Sequence, residues 1–191
     1  MTSARLMIST ALLSLSAITF AQSDAYRSVA EPAPSEAQKS FTEMKTLAGK
    51  WQGPVKVDPP QPEMENGKPM EISLRVTSRG NALVHEMKEA GSPDDPSKYD
   101  HPVTMFYLDD DRLLLTHYCD AGNRPRMAAR KSPDGKRLEF DFVDVAGSTK
   151  YGHMQHAVFN IIDANHHTED WTFLLPGNKP ILAHMDLWRT K

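Results

Sequence analysis

With one cysteine, Cys119, the chain can form no internal disulfide, so its fold must be held by a core, which its 191 residues are enough to build. An excess of positive charge is also lacking. The formal charge is −3, and becomes −4 if Arg5 leaves with a leader, which argues against a nucleic-acid partner. Beyond Phe20 no run is long and apolar enough to cross a membrane as a helix. Neither HxH nor HExxH occurs among the eight histidines, so no metal-ligand spacing is present. A paired-carboxylate signature for general acid–base work is missing too, although Glu86 and Asp186 are single candidates.

What is present begins with MTSARLMISTALLSLSAITFA over residues 1–21. Arg5 supplies a positive start, Leu6 to Phe20 is mostly apolar, and Ala21 is a small residue that a signal peptidase accepts. The segment is too short and too rich in Ser and Thr for a membrane anchor. The expectation is a signal peptide, a mature chain starting at Gln22, and a periplasmic or secreted location. Residues 22–34 carry little to bury and read as a flexible leader, leaving 35–191 as one domain.

Ser35 followed by Gln38 forms a capping-box pattern, and Phe41, Met44, Leu47 and Ala48 continue it as an apolar helical face that stops at Gly49. From Lys50 the period changes to two. Alternating runs at Trp51–Val57, Met70–Val76, Ala82–Glu89, Val103–Leu108, Leu113–Cys119, Met127–Lys131, Arg137–Asp144, Met154–Ile162, His167–Leu175 and Ile181–Trp188 are separated by short turns such as Asp109-Asp110-Asp111 and Pro133-Asp134-Gly135. About ten sequential antiparallel strands close most simply into an up-and-down barrel, which removes exposed edges and leaves room for side chains or one small ligand. A β-sandwich is the alternative. The expected class is all-β with one short N-terminal helix.

Thr116 to Met127, THYCDAGNRPRM, concentrates the polar chemistry at one strand end. Taking the more apolar face of each strand as inward sends His85, His117 and His156 into the barrel, either as ligand-binding groups or as hydrogen-bonded core histidines. His166 and His167 sit at a turn and read as solvated. Arg124 and Arg126, spaced by Pro125 beside Asn123, could receive a carboxylate or phosphate. They could equally tie down a loop or pair with Asp120 or Glu86. Cys119 shares a face with His117 but stands a stride away, so a buried thiol suits it better than a nucleophile. Trp51, Trp171 and Trp188 read as core and closure residues.

LAGKWQG at Leu47–Gly53, SRGNALVHE at Ser78–Glu86 and LTHYCDAGNRPRM at Leu115–Met127 resemble a family of exported bacterial lipocalin-like barrels. That family pairs an L-x-G-x-W-x-G opening with a THYC…GNxPRM segment. The chain is more distantly similar to nitrobindins through its G-x-W-x-G opening at Gly49–Gly53. Nitrobindins hold haem through one late-strand histidine, which this resemblance would carry to His156 or His184. The resemblance implies a fold rather than a reaction. The resulting expectation is a protein that binds a small apolar or amphipathic molecule, with His85, Glu86, His117, Tyr118, Asn123, Arg124 and Arg126 at the polar end of its pocket. An enzyme using pocket His and carboxylate groups, and a structural envelope protein without a ligand, are the alternatives.

Overall fold

The computed structural model describes residues 33–61, 69–95 and 97–191. The expected signal peptide and all but the last two residues of the expected leader lie outside the described residues. A helix α1 (Glu36–Lys45) is followed by strands β1 (Gly49–Gly53), β2 (Val55–Asp58), β3 (Met70–Thr77), β4 (Ala82–Glu89), β5 (Val103–Asp109), β6 (Arg112–Tyr118), β7 (Arg124–Lys131), β8 (Arg137–Ala146), β9 (His153–Asp163), β10 (His166–Leu175) and β11 (Lys179–Arg189).

The strands pair antiparallel with their sequence neighbours from β3 to β11, and β1 pairs with both β3 and β11. Trp51 thus faces Ile72 on one side and Arg189 on the other, which closes the sheet into a 10-strand barrel. Pro54, which has no N–H for a ladder, interrupts the first stave, and β2 resumes it against Leu182–Met185 of β11. The seam is locked from one end. Trp51 Nε1 donates to the Leu47 carbonyl at 2.8 Å, and the Arg189 guanidinium lies 4.1 Å over the Trp51 ring. Arg189 also donates to the carbonyls of Ala48 and Thr46 at 2.7 and 3.1 Å.

Helix α1 starts at the expected cap. Gln38 N donates to Ser35 Oγ at 3.2 Å, and Ser35 N donates back to Gln38 Oε1 at 2.7 Å. Its buried residues Phe41 and Met44 join the core, and Lys131 at the end of β7 pairs with Glu43 at 2.8 Å. The helix therefore covers the end of the barrel where the β3–β4, β5–β6 and β7–β8 turns lie. Beneath it Phe106, Phe140 and Phe159 meet edge to face, with ring centroids 5.4–5.8 Å apart.

Two features depart from simple alternation. Strand β7 begins at Arg124 rather than Met127, because Pro125 lies past the part of β7 that pairs with β6, where its missing N–H costs no hydrogen bond. In β9 the register against β10 skips Gln155, with Thr172 opposite His156 and Phe173 opposite Met154. That bulge reverses the parity of the strand. Met154 packs on the core while Ala157 and Phe159 are the buried residues that follow, so His156 faces outward and the expected inward orientation is corrected.

Candidate functional site

Inside the barrel, three neighbouring inward positions of β10 are His167, Glu169 and Trp171, all buried. Their spacing of two places them on one face, and the core position of Trp171 brings the other two inside with it. Glu169 is fully surrounded by donors. His85 Nε2 lies 3.2 and 3.0 Å from its two oxygens, His167 Nε2 lies 3.0 Å from Oε1, and Trp171 Nε1 donates to Oε2 at 2.9 Å. Burial alone would raise this carboxyl, but the charge on His85 and the hydrogen bonds from His167 and His85 outweigh it. Glu169 is held far below its ordinary value near 4.5 and is ionised. A carboxylate only accepts, so both imidazoles present an Nε2–H to it, and their Nδ1 atoms have no hydrogen-bond partner among the described residues. His167 also meets Trp51 edge on at 4.3 Å, which links this cluster to the barrel seam.

The neighbouring buried histidine, His117, is the last inward residue of β6 before the strand leaves the barrel. Its Nδ1 lies 2.8 Å from Thr104 Oγ1 across the β5–β6 ladder, and its ring sits 5.5 Å from that of Trp171. Burial, and after it the charge on His85, pushes His117 down from 6.5 to about 3, so it is neutral at physiological pH. Its Nε2 is buried and has no partner among the described residues. Around this end of the barrel, opposite α1, half-buried Val55, Met70, Met87 and Met154 pack against the core.

The expected site residues divide between inside and outside. His85 and His117 are inside and belong to adjoining clusters. Glu86, one residue from His85, is turned to the outer face and lines a groove of about 580 Å³ with Glu71, Lys88 and Asp94. Tyr118, 44% exposed, borders a second outer hollow of about 440 Å³ together with Cys119, Asp100 and Asp120. Asn123 is buried, and its amide donates to the carbonyls of Ser148 and Gly152 at 2.9 and 2.7 Å, tying down the β8–β9 loop. Arg124 is exposed at the start of β7. Arg126 makes a two-pronged pair with Asp144, Nε to Oδ1 at 2.8 Å and Nη2 to Oδ2, so its carboxylate partner belongs to the adjacent strand rather than being Asp120 or Glu86. Burial, followed by the nearby Asp100 and Asp120, raises the Cys119 thiol, which does not favour a thiolate.

The late-strand histidines lie on the outer wall. His156 Nδ1 is 3.1 Å from Asp141, and His184 Nδ1 is 2.6 Å from Asp170. Neither enters the barrel, so neither could hold a haem there. His167, expected to be solvated, is fully buried, whereas Trp188 is 46% exposed and stacks on His166 at 4.5 Å. Glu169 was not singled out in the sequence. The available signal was its place two residues before Trp171, an expected core residue.

No protein-family model matches the chain, and no match to a curated protein reaches significance. Among solved structures, the chain is similar to Rv2717c from M. tuberculosis, with a TM-score of 0.56 at 10% identity, over 80% of this chain and 98% of that one. A protein of unknown function from the DUF3598 family of Nostoc punctiforme overlaps 78% of this chain and 98% of its own at 7% identity, but its TM-score of 0.23 is too low to bear on the fold. At such identities the likeness to Rv2717c is one of fold: this chain is a closed antiparallel β-barrel of the same general architecture.

Proposed function

We propose that this barrel binds a small apolar or amphipathic molecule at the end opposite α1, as a lipocalin-like carrier working outside the cytosol. The observation that carries the reading is His117. It is a buried neutral imidazole whose Nε2 has no partner among the described residues, at the same end of the barrel as half-buried Val55, Met70, Met87 and Met154. An orphaned buried polar atom is costly, and a bound molecule offering it a partner while covering those side chains would remove the cost. Export is supported by the composition of residues 1–21.

The test is titration of the mature chain with the neutral fluorescent probe N-phenyl-naphthylamine. One probe per barrel is expected, with binding lost in Met154→Trp, which fills the same end while the far-ultraviolet spectrum stays unchanged. Absence of saturable binding, or binding indifferent to this substitution, would sink the reading.

A further inference from the structure

The hydrogen-bond pattern around His117 defines which chemistry the ligand must offer. Thr104 is fully buried on β5, and among the described residues its hydroxyl has one hydrogen-bond partner, His117 Nδ1. A buried hydroxyl needs an acceptor for its proton, and the ring nitrogen is the one within reach. Thr104 therefore donates and Nδ1 accepts. The neutral ring must then carry its own proton on Nε2, the nitrogen farther from the backbone and the one without a partner. Among the described residues, His117 Nε2–H is thus a buried donor with no acceptor.

Charge narrows the choice between acceptors. Burial keeps His117 neutral, so it offers a ligand no positive charge. The donors of His85, His167 and Trp171 are turned to Glu169, and the Trp171 ring lies 5.5 Å from that of His117. A ligand carboxylate would be a second buried anion in the same barrel, with no free cation among the described residues to balance it. We infer that the barrel selects an apolar molecule bearing an uncharged oxygen acceptor, a ketone, ester or amide carbonyl, which takes its hydrogen bond from His117 Nε2–H.

This rests on the binding function proposed above, and a matched ligand series separates the two. Displacement of the fluorescent probe is measured with a long-chain methyl ketone and with the alkane, primary amine and carboxylate of equal chain length. The ketone is expected to compete about tenfold better than the alkane, the amine no better than the alkane, and the carboxylate worse than the ketone. His117→Phe should bring ketone and alkane together. Equal competition by ketone and alkane in the native protein, or stronger competition by the carboxylate, overturns the inference but leaves the binding function standing. No competition by any of the four overturns both. Independently of ligand, long-range nitrogen-15 correlation spectra should show His117 protonated at Nε2. A proton on Nδ1 would overturn the inference even in a protein that binds ligands.

Discussion

Glu169 ties three interior side chains together, because donors from His85, His167 and Trp171 converge on it out of reach of water. Replacing it by Gln leaves two buried imidazoles without the charge they face. Glu169→Gln should lower unfolding stability by about 3–5 kcal/mol at neutral pH, read from urea unfolding followed by circular dichroism. Acid should act on its neighbour first. His117 binds a proton near 6.5 when unfolded and only near 3 when folded, so below 6.5 the unfolded chain holds the extra proton. Its contribution is therefore complete above pH 6.5 and declines at about 1.4 kcal/mol per pH unit as pH falls toward 3. Glu169 adds a second loss with the same sign. Its folded value is depressed, so its stabilisation is full above the ordinary value near 4.5 and fades as pH falls below it. Urea midpoints measured between pH 7 and pH 5 should fall in the native protein and stay level in His117→Leu. Parallel curves for the two proteins would refute this role for His117.

Strands and loops show why polar residues of similar appearance carry different energies. Arg126 and Asp144 are joined by two hydrogen bonds but remain 44% and 49% exposed, and such surface pairs contribute about 0–1 kcal/mol. The double substitution Arg124→Ala and Arg126→Ala should thus leave the urea midpoint nearly unchanged and probe binding intact. Asn123 differs because its amide is buried and donates twice to the backbone of one loop. Asn123→Ala should cost about 1–3 kcal/mol, with faster amide exchange appearing around residues 148–152. The seam is more sensitive still. A Cβ at Gly53 would fall on the Asp186 carbonyl oxygen of the partner strand β11. Gly53→Ala should force β1 and β11 apart and destabilise the barrel by about 1–3 kcal/mol, visible as new exchange at Trp51 and Leu187.

For the whole molecule, the two ends of the barrel divide the labour. Helix α1 and the three phenylalanines fill one end, while the other carries the methionines and His117. A chain exported as proposed should begin at Gln22 when recovered from its native host, which N-terminal sequencing of the mature protein will show. An N-terminus still carrying residues 1–21 would count against export.

Much of this architecture was legible residue by residue. The capping box of Ser35 and Gln38, the alternation in β3, β4 and β6, and the turns between strands are local matters of hydrogen bonding and period, so they can be read without knowing what lies across the barrel. Alternation likewise sent His85 and His117 inward, whereas Glu86, expected at the polar end of the pocket, stands on the outer face. What needed the tertiary structure was everything set by a partner distant in sequence. The bulge that turns His156 out exists only against β10, the Asp144 that engages Arg126 comes from β8, and the buried charge of Glu169 is tolerable only because His85 arrives from 84 residues away. Strand period depends on neighbouring backbone alone, whereas the cost of burying a polar group depends on which donor the closed barrel brings to it.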